Sequence, residues 1–210
     1  MLQSPRSLVL ITKGLATYIP GVLALIAKGK TEKKDPAKYC YEVWLKHLTL
    51  LWENGMRETP ETIAELGPGS SLGVGLAALL SGVNHYYALD VVKHIKAQQA
   101  PIVFNELVEL FKKRAGRPTK GWPDFDGYLD QNLFPSHILT EEALNVALQT
   151  ERVESIRKVL SNMDSEYREV IIKYVAPWND PRVIIPESVD VIISQSVLEH
   201  VNNLEETYRH

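Results

Sequence analysis

Cysteine is almost missing from this chain of 210 residues. It occurs once, at Cys40, so no internal disulfide can form and the fold must be held by its core. Cys40 stands among Tyr39, Tyr41 and Val43 and reads as a packed helix residue, not as a nucleophile. An excess of one charge is missing as well. The net charge of −3 excludes the basic footprint of a general nucleic-acid binder. The third absence is a long unbroken apolar run. Residues 8–27 come nearest, but Lys13 and Pro20-Gly21 interrupt them, and neither piece is long enough to span a bilayer. No small-residue cleavage site follows, so the stretch does not read as a signal peptide. Two short helices are expected there, with contact to a membrane surface as the alternative, no stable membrane insertion, and a cytoplasmic location. The apolar content of 45% is enough for one sizeable core.

What is present is concentrated in one stretch, Thr62-Ile-Ala-Glu-Leu-Gly-Pro-Gly-Ser-Ser-Leu-Gly-Val-Gly75. A short apolar run stops at a glycine-rich turn. A helix-like segment, 74–80, follows, and a second apolar run, His85–Leu89, ends on Asp90. The pattern predicts a strand, a tight turn, a helix and a second strand with an acid at its carboxyl end. Gly67 and Gly69 can take backbone angles closed to other residues and let the backbone approach a ligand. Gly73, where the helix begins, is expected to let that helix lie near the strand. The helix amino terminus leaves N–H groups free to face the ligand. Asp90 falls roughly 20 residues beyond the turn, where a carboxylate can accept both hydroxyls of a ribose. Together these predict a site for an adenosine-bearing cofactor.

The spacing departs from the dinucleotide fingerprint G-x-G-x-x-G: after Gly67 and Gly69 come Leu72 and a late Gly73, and Glu65 stands just before the turn. Glu65-Leu-Gly-Pro-Gly-Ser-Ser-Leu-Gly73 resembles the first motif of the class I S-adenosylmethionine-dependent methyltransferases. Ser188-Val-Asp-Val-Ile-Ile-Ser-Gln-Ser-Val-Leu-Glu-His-Val201 looks like that family's fourth-strand motif, with Val189, Val191, Ile192 and Ile193 suited to a strand buried on both faces. The resemblance covers residues 60–96 and 168–210. It implies an α/β fold with a Rossmann-like, mostly parallel sheet holding about four of the family's seven strands in the order 3-2-1-4. It also implies a helical lid over residues 1–58 and a partial methyltransferase domain over 59–210, with a helical insertion at 98–163. The implied cofactor is S-adenosyl-L-methionine, contacted by Glu65, Gly67, Pro68, Gly69, Ser70, Leu72, Asp90, Trp178, Asn179, Ser194 and Gln195. Trp178 would stack on the purine and Asn179 or Asp180 would bond its amino group, although the family's acid-plus-apolar pattern is not kept there.

Methyl transfer from a sulfonium is an in-line displacement, so the protein mainly aligns donor and acceptor and sometimes removes a proton. His200, beside Glu199, is the candidate base, and His137 is a second. No metal is called for. The acceptor is expected to be a small molecule or glycan-like. Two alternatives stand beside this reading: an NAD-dependent oxidoreductase, against which the late Gly73 weighs, and a truncated cofactor-binding remnant acting in an assembly. The rest of the chain is read from periodicity. Tyr41, Trp44, Leu45, Leu48, Leu51 and Trp52 predict a helix over 37–54 that ends at Asn54-Gly55. Helices are expected over 103–114 and over 141–163, the latter capped by Thr140, and a strand over 169–175. Residues 28–36 read as a solvated loop, and Lys112, Lys113, Arg114, Arg117 and Lys120 form a basic cluster that could meet an anionic substrate. The sequence stops inside the helix after the fourth strand. A cut fragment, a partner covering the open sheet edge, and an edge-to-edge homodimer are the three resolutions.

Overall fold

The computed structural model describes residues 36–93, 95–96, 98–116, 133–163, 166–167, 169–178, 182–198, 201 and 204–207, all within one compact unit. The first helix, α1 (Pro36–Glu53), buries Tyr41, Trp44, Leu45 and Leu48 at the spacings of three and four that predict it. It ends at Gly55, whose φ of 102° is closed to most other residues. Trp44 donates its Nε1–H to Ser81 Oγ at 2.8 Å, so this ring is both packed and hydrogen-bonded. Tyr41 meets Phe111 edge-on at 4.8 Å and donates its hydroxyl to the Ala115 carbonyl at 2.9 Å.

Four further helices have ordinary length: α2 (Gly73–Leu79), α3 (Gln99–Lys112), α4 (Glu141–Ala147) and α5 (Thr150–Ser161); α6 (Leu204–Thr207) is a single turn. Thr140 caps α4 as expected, its Oγ1 accepting from the Ala143 amide at 3.2 Å. The single helix expected over 141–163 is broken in two. Gln149 takes extended angles, φ −54° and ψ 140°, which ends one hydrogen-bond ladder and starts another. The break redirects α5 onto the sheet, where Val153, Ile156, Val159 and Leu160 are buried. Arg152 fixes that docking. Its guanidinium donates to Asn84 Oδ1 and to the carbonyls of Val83 and Leu79, at 2.6–3.2 Å.

The strands are β1 (Thr62–Leu66), β2 (His85–Leu89), β3 (Glu166–Tyr167), β4 (Val170–Val175) and β5 (Val191–Ser194). Their order is β3-β4-β2-β1-β5. β4, β2, β1 and β5 run parallel, so the parallel strands taken in chain order lie 3-2-1-4, the order of a Rossmann-like α/β fold. β3 adds a two-residue antiparallel ribbon to the edge at β4. Leu66 pairs with Leu89 and with Ser194, and Leu89 pairs with Val175, so the parallel strands end flush. Asp190 stitches the start of β5 to β1, its Oδ2 accepting from the amides of Glu61 and Thr62, both at 2.8 Å.

One sheet face carries Ile63, Glu65, Tyr86, Ala88, Val170, Ile172, Val191 and Ile193, all buried under the layer formed by α1, α2, α3 and α5. The insertion helices α3 and α5 therefore belong to the packed layer rather than standing off as a flap. On the other face Tyr87, Ile171, Lys173 and Val175 are half-buried and Ile192 is 64% exposed. This corrects the expectation that β5 is buried on both faces: the described helical layer covers only one of them.

Candidate functional site

The strand order reverses beside β1, between β2 and β5, and open α/β sheets bind ligands at the carboxyl ends of strands at such a point. Here the chain leaves β1 through Gly67-Pro68-Gly69. Gly67 has φ 72° and Gly69 has φ 68°, and the Gly67 amide donates to the Leu89 carbonyl at 2.8 Å, holding the turn against β2. The two glycines face different surroundings. A Cβ on Gly67 would overlap the Val197 side chain, which lies over the turn from the segment after β5. A Cβ on Gly69 would meet nothing within 4 Å, so this peptide is the one open to approach. Leu72 ends the turn in a left-handed conformation, φ 56°, with its side chain fully buried.

Beneath the turn lies a sealed polar cluster. Glu65, 3% exposed, accepts a hydrogen bond from the Tyr86 hydroxyl at 2.6 Å, and the Gly75 amide also favours its ionised form. Burial pushes the Glu65 carboxyl up to about 7, against the pull of those two donors. The Tyr86 hydroxyl is also pushed up, first by burial and then by the carboxylate beside it. Gly75 is essential to this arrangement, because a Cβ there would overlap the Tyr86 ring. It is Gly75, then, that lets α2 lie against β2. Gly73, expected to do so, instead makes room for Cys40 of α1. Ser71 Oγ accepts from the Gly73 amide at 3.4 Å, so one amide of the first turn of α2 is already taken by the chain's own side chain.

Asp90 follows β2 at the rim of the adjoining cleft. It is 8% exposed, its Oδ1 accepts from the Val91 amide at 2.8 Å, and its Oδ2 accepts from the Tyr174 hydroxyl at 3.3 Å. A carboxylate has about four acceptor sites, so both oxygens retain capacity. A shallow cleft open to solvent brings Leu66, Gly67, Asp90, Trp178, Val197 and Leu198 together.

The structure thus gathers Gly67, Asp90 and Trp178 around one cleft, with exposed Gly69 on the same turn. Four expected contacts are placed differently. The Glu65 carboxylate and the Leu72 side chain point into the core because the even register of β1 and the left-handed turn carry them there. Pro68 is buried, and Ser70 donates to Gln99 Oε1 at 3.0 Å, its carbonyl accepting from the Lys96 amide. Ser194 ends β5 with its Oγ buried and without a partner among the described residues, and Gln195 donates to Ser196 Oγ at 3.2 Å. Asn179, Asp180, Glu199, His200, Arg117, Lys120 and most of the lid segment 1–58 through residue 35 lie outside the described residues. His137 sits edge-on to Trp52 with ring centroids 6.0 Å apart, on an element that does not line the cleft.

Gly75, Tyr86, Tyr174 and Val197 are the participants that sequence reasoning missed. Gly75 was readable as a second glycine in the helix. The tyrosines were not, since their partners lie on other strands. Among the described residues no group of three or more His, Cys, Asp or Glu is placed to hold a metal ion, and no helix is long and apolar enough to cross a membrane. No protein-family model, no curated protein and no solved structure matches the chain.

Proposed function

We propose that the cleft at the carboxyl ends of β1, β2 and β5 binds S-adenosyl-L-methionine, and that the chain serves methyl transfer to a small-molecule or glycan-like acceptor. The observation that carries this reading is the use made of the amino terminus of α2. A dinucleotide needs those amides for its pyrophosphate. Here the Gly73 amide donates to Ser71 Oγ, the Gly75 amide favours the ionised form of Glu65, and the acid beneath the turn is a carboxyl. A phosphate would meet like charge there once the carboxyl ionises, whereas an adenosine carrying an amino acid and a sulfonium brings positive charge instead. This weighs against the NAD-dependent oxidoreductase.

The residues at hand suit such a ligand. Asp90 has free acceptor capacity for two ribose hydroxyls. Trp178, Leu198 and Val91 offer apolar walls for a purine. The open Gly69 peptide offers polar contacts at the turn. The sulfonium itself makes its methyl electrophilic. The work left to this chain is to hold and orient the donor and to exclude water, with His200 the candidate for taking the acceptor's proton.

Thermal unfolding with added nucleotides tests the reading. S-adenosylhomocysteine should raise the melting temperature and NAD should not; stabilisation by NAD alone would overturn it. Asp90→Ala should weaken S-adenosylhomocysteine binding by about 1.5–3 kcal/mol, the size of a hydrogen bond to a charged group, and unchanged affinity removes Asp90 from the ribose role. Binding without methylation of any acceptor tried would leave the cofactor site and take away the transfer.

A further inference from the structure

Asp90 is held by more than its own strand. β2 and β4 pair as far as Leu89 and Val175, and the Asp90 amide carries the ladder on by donating to the Val175 carbonyl at 2.9 Å. The carboxylate is then gripped at both oxygens. Oδ1 accepts from the Val91 amide at 2.8 Å, and Oδ2 accepts from the Tyr174 hydroxyl at 3.3 Å. Tyr174 stands in β4 opposite Ala88 of β2. Asp90 lies two residues further along, about 6.6 Å, the span of a phenol side chain. The same hydroxyl lies 3.3 Å from the Val92 carbonyl, so the chain from Asp90 to Val92 wraps around it. Tyr174 itself does not line the cleft that Asp90 lines. It can act on a ligand only through the carboxylate it holds.

A carboxylate has about four acceptor positions, two on each oxygen. The Val91 amide takes one on Oδ1 and the Tyr174 hydroxyl takes one on Oδ2, which leaves one on each. Two neighbouring ribose hydroxyls would fill that remaining pair. We propose that Tyr174 is a positioning residue that sets ribose specificity: by occupying Oδ2 it fixes the plane of the Asp90 carboxylate, so that one acceptor on each oxygen is kept for an intact cis-diol. This rests on the cofactor reading above. Without the phenol hydroxyl, Oδ2 has a second open position for water and the carboxylate is freer to turn. An intact diol, which needs both oxygens presented at once, then binds less well. A ribose lacking the hydroxyl that meets Oδ2 loses little. The fold is not disturbed, because Phe keeps the ring and the Val92 contact lies at the exposed surface, where water can replace the phenol.

The test is calorimetric titration of the full chain with S-adenosylhomocysteine and with its 2′-deoxy and 3′-deoxy analogues. Tyr174→Phe should bind S-adenosylhomocysteine about three- to tenfold more weakly than the wild type, the worth of one hydrogen bond, with its unfolding midpoint unchanged. In an Asp90→Ala background the same substitution should alter affinity by less than about twofold, since the group it positions is gone. One of the two deoxy analogues should likewise register less than about a twofold loss on Tyr174→Phe. Unchanged affinity in Tyr174→Phe, or a loss as large in the Asp90→Ala background as in the wild type, overturns the inference and leaves the cofactor reading standing. Should Asp90→Ala bind too weakly to titrate, the analogues decide alone: equal losses for all three ligands overturn it. No binding of S-adenosylhomocysteine by the wild type, with no thermal shift, removes the cofactor reading and this inference with it.

Discussion

Ile192 and Ile193 are neighbours in β5 and could hardly be treated more differently: the first is 64% exposed, the second 4%. The contrast extends to other strands, although Thr62, Ala64 and Leu89 of the central strands are buried on the second face as well. One face packs Ile63, Tyr86, Val170, Ile172, Val191 and Ile193 under a helical layer. The other carries Tyr87, Ile171, Lys173 and Val175 half in solvent. Successive side chains of a strand point to opposite faces, so an apolar pair within a strand says nothing about which member is needed. The covered face decides stability, and it also contains the exception, since Glu65 is a carboxylate sealed among those apolar side chains.

The comparison can be broken first at its centre. Trp44→Ala should cost about 3–5 kcal/mol by leaving a cavity between α1 and α2, read as a lowered midpoint in denaturant unfolding. A loss under about 1 kcal/mol would mean that the helical layer is not the core. Glu65→Gln probes the exception. The carboxyl is raised in the folded state from 4.5 to about 7, so its neutral form supports the fold fully below about 4.5 and that support is lost as pH rises through about 7. The wild type should therefore lose on the order of 3 kcal/mol relative to Glu65→Gln between about pH 4.5 and pH 8, and parallel stability curves for the two proteins would contradict a sealed carboxylate. Next, Ile193→Ala should cost about 2–3 kcal/mol, while Ile192→Ala stays within about 0.5 kcal/mol. Equal losses would show that both faces of β5 are covered in solution. Smallest, Thr140→Ala should cost about 1 kcal/mol through its cap on α4, which lies apart from either face; a loss as large as that of Trp44→Ala would make α4 part of the core.

Much of this architecture was legible in local patterns. The α1 stripe, the Thr140 cap, the glycine turn and Asp90 after β2 are all decided within a few residues, where spacing and backbone angles govern the outcome. The parallel order 3-2-1-4 came with the resemblance, since the single hand of each crossover fixes the face its helix takes but not where the order reverses. The break at Leu148-Gln149 was not legible, since helical periodicity runs through it and the extended Gln149 answers to the docking of α5 on β4. The role of Gly73 was misassigned for a similar reason. A glycine at a helix start signals close approach, but not of what, and the neighbour proved to be Cys40 of α1.

The candidate site divides along the same line. Sequence by itself determined that a flexible, glycine-built turn and an acid would stand at adjacent strand ends, because chain connectivity places them there. Tertiary structure alone decided which acid faces the cleft. Asp90 lies one residue past the end of β2 and reaches the rim, whereas Glu65 lies within β1 on the covered face, where Tyr86 and Gly75 close over it. Both are carboxylates at the carboxyl ends of neighbouring strands. Asp90 stands two rungs beyond the level of Glu65, so position along the strands, not the choice of face, separates them: one carboxylate lies past the sheet's end, and the other lies within it under the helical layer.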